Sequence, residues 1–297
     1  MNLHEYLSIE GGRKVTVAIP FPDNEAVLET VQTACENGWA KFLFIGNRPE
    51  IKRAADSRSI DPELYACIQA DCEAEACRLT AELLASGQAQ LAMKGQVHTG
   101  EIIRALYSRE AGLLEQGRLV SHLALCDLPA WHKMLFMSDC AINIRPGFDQ
   151  KLQIIGNAVA MAQRLGIGQP KVALIAPVET VSTSIESTMD ADRLKREYPN
   201  LSGALIDGPF GLDVALSAEA ARIKNIESSV AGDPDILLFP DLTSGNVAYK
   251  LLTLFGGATI AGILTGLKVP VVVTSRSDSA RTKLLSLKLG IVLAGKG

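Results

Sequence analysis

The stretch Val269–Leu289, VPVVVTSRSDSARTKLLSLKL, decides the fold. It opens on an apolar run, Val269–Thr274, whose length and β-branched content suit a strand buried on both faces. Thr274, Ser275, Arg276 and Ser277 stand at the carboxyl end of that run, and the spacing then predicts a helix over Asp278–Leu289. A strand hidden on both sides that turns at once into a helix is half of a parallel β–α–β unit.

The same rhythm extends through the chain. Apolar runs predict strands at Val15–Ile19, Phe42–Ile45, Ala89–Met93, Leu119–Leu125, Lys133–Met137, Lys171–Ile175, Ala204–Ile206 and Ile236–Phe239. Between them, amphipathic patterns predict helices at Asp23–Asn37, Cys72–Ala85, Asp149–Leu165, Leu212–Lys224 and Gly245–Phe255. This alternation predicts a doubly wound α/β architecture. Arg145-Pro146-Gly147 breaks a strand just before a helix and marks a lobe boundary near Ile144–Gln150.

Composition agrees. A chain of 297 residues accommodates two α/β lobes, and 47% hydrophobic with 21% charged residues is ordinary for a globular protein. Only 5% are aromatic, and the net charge is −4. That charge lacks the basic footprint of a nucleic-acid binder and predicts none as partner. The opening MNLHEYLSIEGGRK lacks the pattern of a secretory signal, and the apolar stretch Ala258–Leu267 is too short to span a bilayer. These features predict a cytoplasmic protein without a membrane partner. The six cysteines form no CxxC pair and read as reduced thiols in the core, with Cys126 the sole catalytic candidate.

In doubly wound proteins ligands gather at the carboxyl ends of strands. Four such ends carry small polar or charged groups. After Ala89–Met93 comes Lys94-Gly95-Gln96-Val97-His98-Thr99-Gly100, with Arg104 on the following helix; a helix start beside Lys and Thr suits a phosphate. Ile206-Asp207-Gly208-Pro209-Phe210-Gly211-Leu212-Asp213 carries two carboxylates, a metal pair, a base or a helix cap, with capping expected of Asp213. Pro240-Asp241-Leu242-Thr243-Ser244-Gly245-Asn246 opens a helix with Ser244 as the expected N-cap and Asn246 as a hydrogen-bonding group. The fourth end carries Ser275 and Arg276, and a guanidinium there grips an oxyanion with two parallel bonds. His98, His122 and His132 have no evident partner. Together the four ends imply an α/β enzyme acting on a phosphate-bearing ligand.

Read in order, MKGQVHTG, SDCAINIRPGFDQK, APVETV with STMDA, DGPFGLD, VAGDPDILLFPD, GNVAYK and TSRSDS resemble the phosphate acetyl/butyryltransferase family, closest to its butyryl branch. The resemblance runs from Met93 nearly to the end of the chain. It implies a two-lobed fold like that of isocitrate and isopropylmalate dehydrogenases, with parallel-rich sheets and helices on both faces. The first lobe would hold residues 1–145 and about 277–297, the second 146–276, with the active site in the cleft between them. It implies reversible transfer of a short acyl group, butyryl by branch or acetyl as the alternative, between coenzyme A and inorganic phosphate. Coenzyme A, acyl-CoA and phosphate enter as substrates, with no metal and no bound cofactor, and the assembly is a homodimer or higher homo-oligomer.

The family's catalytic serine and arginine fall on Ser275 and Arg276, and its arginine beyond the first motif on Arg104. Lys94, Thr99, Asp207 and Asn246 complete the expected phosphate and coenzyme A contacts. The acetyl branch has an aspartate seven positions beyond the serine; here that position is Thr282, and Asp278 is the nearby substitute. Two rivals use the same fold: a nicotinamide-dependent decarboxylating dehydrogenase, and an inactive relative that binds coenzyme A as a regulator.

Overall fold

The computed structural model describes residues 2–9, 14–275 and 278–295. In chain order its strands are β1 (Val15–Pro20), β2 (Ala40–Gly46), β3 (Tyr65–Gln69), β4 (Leu91–Met93), β5 (Ser121–Asp127) and β6 (Leu135–Ser138). They continue with β7 (Lys171–Ile175), β8 (Leu205–Phe210), β9 (Ile236–Leu238), β10 (Thr259–Thr265) and β11 (Val271–Val272). The helices begin with α1 (Leu3–Tyr6), α2 (Glu25–Glu36), α3 (Arg48–Ser57), α4 (Glu73–Ala85), α5 (Thr99–Leu106) and α6 (Phe148–Arg164). After them come α7 (Glu186–Glu197), α8 (Leu212–Leu216), α9 (Ala218–Ile223), α10 (Leu242–Leu254) and α11 (Ala280–Gly295).

The chain divides into two compact units, Met1–Arg118 with Ala261–Gly297, and Leu119–Ile260. In the first, the strand order is β3-β2-β1-β4-β11-β10. Every neighbouring pair is parallel except β10 with β11. Val17, Ala18 and Ile19 of β1 are consecutive and all fully buried, which requires cover on both faces of the sheet. Val27, Val31 and Ala34 of α2, Ile51 and Ala55 of α3, and Leu287 and Ile291 of α11 close one core cluster on β1, β2 and β4. Asn24 starts α2 by accepting the N–H groups of Ala26 and Val27.

In the second unit the order is β5-β6-β9-β7-β8, antiparallel only between β5 and β6. Its core joins Ala124, Leu135, Met137, Leu237 and Phe239 to Val214 and Ala215 of α8. The α/β class and the parallel-rich sheets therefore stand as the alternation of runs predicts.

Several boundaries differ from the sequence expectation. The units divide after Arg118 and Ile260, not at 145 and 276. The reason is pairing: β6 joins β9, which ties β5 and β6 to the second unit, while β11 joins β4 of the first. Arg145-Pro146-Gly147 lies inside the second unit, where Gly147 is the N-cap of α6. Edge strand β3 is only half-buried and carries no clean alternation. β10 has Gly262 at its middle, whose N–H donates to Ser286 Oγ of α11 at 2.9 Å. The expected helix Leu212–Lys224 is two, because Ser217 leaves α8 in extended backbone and caps α9.

Gly95 explains itself by close approach. A Cβ there would overlap the carbonyl oxygens of Pro20 and Phe21. Gly95→Ala is expected to lower stability by about 1–3 kcal/mol, read as a lower urea midpoint at unchanged m-value, because rigid backbone must shift. A midpoint equal to that of the parent protein would refute this packing.

Candidate active site

Ser275 follows the short strand β11, and the two main-chain groups of this residue are both held. Its N–H donates to Asp278 Oδ2 at 2.7 Å, and its carbonyl accepts the Asp278 N–H at 3.2 Å. From below, Lys283 Nζ donates to the carbonyls of Ser275 and Asp278, each at 2.8 Å. Lys283 is 2% exposed. Burial pulls its pKa down, opposed by the nearby Asp278 charge. Arg276 and Ser277 lie outside the described residues.

Thr282, at the position where a base was sought, closes the start of α11 instead. Its N–H donates to Ser279 Oγ at 3.1 Å, and its hydroxyl lies 3.1 Å from the same oxygen. Ser286 Oγ donates to the Thr282 carbonyl at 2.7 Å.

Ser275 shares a small hollow with Asn24, Lys94, Gln96, Thr274 and Lys283. The first motif thus reaches Ser275, because β4 and β11 are neighbours in register, Ala92 opposite Val271 and Met93 opposite Val272. Lys94 is 5% exposed, and its ammonium donates to the Gly95 and Val97 carbonyls at 3.2 and 3.1 Å. Both bonds lie within its own loop. Two buried ammonium groups, Lys94 and Lys283, therefore border one hollow.

The other candidates each have their own surroundings. Thr99 is the exposed first residue of α5. Arg104, its side chain 76% exposed, pairs with Glu101 at 2.7 Å and lines a different hollow of 660 Å³ with Arg78 and Glu82. Asp207 and Asn246 belong to the second unit. Asp207 Oδ1 takes Lys195 Nζ at 2.6 Å and the Gly208 N–H at 2.8 Å. Asn246 Nδ2 donates to the Cys140 carbonyl at 3.1 Å. Ahead of it, a Cβ on Gly245 would strike the Asp139 carbonyl oxygen, so that glycine is explained by packing.

Two helix caps also differ. Asp241, not Ser244, caps α10, its Oδ1 accepting the Ser244 N–H at 2.8 Å. Gly211 caps α8, and Asp213 pairs with Lys224 at 3.0 Å. The histidines have partners: His98 Nδ1 meets Glu73 Oε2 at 2.8 Å, His132 Nε2 meets Asp233 Oδ1 at 3.0 Å, and the His122 ring stands edge-on to Tyr249. Cys126 is fully buried, and burial pushes its thiol far above the usual range, which removes it as a nucleophile. Among the described residues no group of three or more His, Cys, Asp or Glu is arranged to hold a metal. Nor is any of their helices long and apolar enough to cross a membrane.

Sequence reasoning missed Lys283. The available signal was its register: it precedes Leu287 and Ile291 by one and two repeats of four, on the stripe of α11 that enters the core. A lysine on that stripe is out of keeping with its neighbours.

Two α/β units are present, and one of them carries polar groups at the ends of buried strands. The chain belongs to the phosphate acetyl/butyryl transferase family, whose model, described as "Phosphate acetyl/butaryl transferase", matches residues 69–289. It is similar to the phosphate butyryltransferase of Clostridium beijerinckii, 40% identical over 286 residues, covering 96% of this chain and 94% of that protein. It is also similar to a phosphate acetyltransferase of Rhizobium meliloti, 35% identical over 280 residues, covering 94% of this chain and 88% of that one. Among solved structures, a branched-chain phosphotransacylase from Enterococcus faecalis V583 matches with a TM-score of 0.84 at 33% identity, over 94% of this chain and 99% of that one.

The Asp278 carboxylate accepts a main-chain N–H, which an amide oxygen also does. Asp278→Asn is therefore expected to keep kcat within about threefold, and Asp278→Ala to lower it about tenfold, the weight of one such bond. Equal loss in the two variants, measured as phosphate-dependent thiol release, would assign Asp278 to proton transfer instead.

Proposed function

We propose that this protein transfers a short acyl group, butyryl in preference to acetyl, reversibly between coenzyme A and inorganic phosphate. The observation that carries the reading is Ser275, its main chain braced by Asp278 and Lys283 beside two buried ammonium groups, in a chain of this family. The preference for butyryl rests on similarity to butyryltransferases at 36–40% identity. Family membership also weighs against the dehydrogenase reading.

The reaction balances without a dedicated base. An oxygen of hydrogen phosphate attacks the thioester carbonyl carbon, the new C–O bond forms, and the C–S bond breaks. The proton of the phosphate ends on the departing thiolate, so no net proton enters or leaves. At pH 7 a thiol of pKa ~8.5 is already a few per cent ionised, so releasing thiolate costs only about 2 kcal/mol. Orienting the two reactants contributes about 7–11 kcal/mol and oxyanion stabilisation about 3–4 kcal/mol. Thr282 in place of an aspartate is consistent with that scale.

In this reading Arg276 grips the phosphate and Ser275 donates to the tetrahedral oxyanion. Lys94 adds positive potential from the interior. Arg104 reaches phosphate only by leaving Glu101. No acyl-enzyme forms in this reading: burial raises the Cys35, Cys67, Cys77, Cys126 and Cys140 thiols away from ionisation. The enzyme is cytoplasmic and homo-oligomeric, as its composition and family suggest, and uses no resident cofactor.

The test is the initial rate of thiol release from acetyl-, propionyl-, butyryl- and isobutyryl-CoA with and without phosphate. Release is expected only with phosphate, with kcat/KM for butyryl-CoA above that for acetyl-CoA by about tenfold or more, given ~1–3 kcal/mol per methylene. Ser275→Ala is expected to lower kcat about 10²-fold and Arg276→Ala about 10³-fold. Thiol release without phosphate, or an acylated protein after incubation with acyl-CoA alone, would overturn the direct-attack mechanism. A protein that binds coenzyme A but shows no turnover would favour the inactive relative.

A further inference from the structure

A lysine ammonium is rarely found in a hydrophobic interior, because desolvation of the charge is not repaid by packing. Lys283 sits there nonetheless, 2% exposed, on the α11 stripe whose next members, Leu287 and Ile291, are core residues. A leucine or methionine would fill the same register at lower desolvation cost. What the ammonium does in this position is specific. It donates to the Ser275 and Asp278 carbonyls, both at 2.8 Å. The Ser275 carbonyl thereby receives two donors, Lys283 Nζ and the Asp278 N–H, while the Ser275 N–H is fixed by Asp278 Oδ2. Both ends of the turn are tied to one atom of a helix anchored in the core.

We propose that Lys283 is a positioning residue for acyl transfer: its buried ammonium ties the main chain of Ser275 and of Asp278 to α11 and so sets where the Ser275 hydroxyl meets the reacting oxygen. This rests on the acyltransferase reading above. Lys283 acts through the Ser275 carbonyl and does not touch substrate. Charge-assisted bonds from a rigid helix hold a turn more tightly than water does, and a displacement of about 1 Å at a reacting group lowers rate by about 10²-fold.

The experiment compares the parent protein with Lys283→Met, Lys283→Gln, Ser275→Ala and the Ser275→Ala/Lys283→Met double variant. It reads kcat and KM for phosphate-dependent thiol release, the dissociation constant for coenzyme A, and the thermal midpoint. Lys283→Met is expected to lower kcat at least about thirtyfold, with coenzyme A affinity within about twofold of the parent, since the displacement argument touches only the reacting group. Lys283→Gln, which keeps a neutral donor, is expected to be intermediate in kcat. The double variant is expected to be no more than about threefold slower than Ser275→Ala alone, because both changes remove the same placed hydroxyl. Should Lys283→Met fail to fold, the kcat of Lys283→Gln decides the matter: a value equal to the parent's overturns the proposal. Multiplying losses in the double variant, or a fall in kcat that only follows the folded fraction, also overturn it. No turnover in the parent defeats the acyltransferase reading itself, and this proposal with it; full kcat in Lys283→Met beside an active parent defeats this proposal alone.

Discussion

A strand covered on both faces has no side chain left for a ligand, because each residue points into one core or the other. Val17, Ala18 and Ile19 of β1 are all fully buried, as are Leu91, Ala92 and Met93 of β4 and Val271 and Val272 of β11. Polar groups can enter only where such strands stop. The constraint then acts twice in the first unit. It sends Lys94 and Ser275 to the same end of neighbouring parallel strands, and it leaves the loops there to satisfy their own backbone groups in a buried setting. Lys94 and Lys283 meet that second need by bonding main-chain carbonyls.

The strand ends were legible for this reason. An unbroken apolar run announces burial on both faces, and the change to Thr274-Ser275 announces its end. The class of fold and the shared hollow of Lys94 and Ser275 follow from that pattern and from parallel pairing. Less visible was whatever depends on one partner far away in the chain. Lys94 reads as a free cation until the Gly95 and Val97 carbonyls are seen around it. The Lys195 ammonium beside Asp207 is equally invisible in the local sequence. Ser244 reads as a cap because serine caps helices, but Asp241, three residues earlier, takes that place. Arg145-Pro146-Gly147 punctuates the chain strongly, whereas membership of the compact units follows strand pairing, which no local signal carries.

The electrostatics favour an anion over a cation at the Ser275 hollow. Among the described residues its charged side chains are the ammonium groups of Lys94 and Lys283, and Asp278 directs one oxygen to the Ser275 N–H. An acidic chain overall, at net charge −4, can thus keep a local site of opposite sign. The cysteines offer no competing chemistry where burial holds Cys126 and Cys140 as thiols. Lys94 and Lys283 differ from lysines at an ordinary helix start in that both ammonium groups are buried and bonded to main-chain carbonyls.

The central claim is that phosphate binds at the carboxyl ends of β4 and β11. The most direct measurement is a crystal structure of the protein with inorganic phosphate and coenzyme A. The account predicts a tetrahedral anion in the hollow bordered by Lys94, Thr274 and Ser275. An anion seated instead in the α4–α5 hollow beside Arg78 and Arg104, with the Ser275 hollow holding only water, would contradict it.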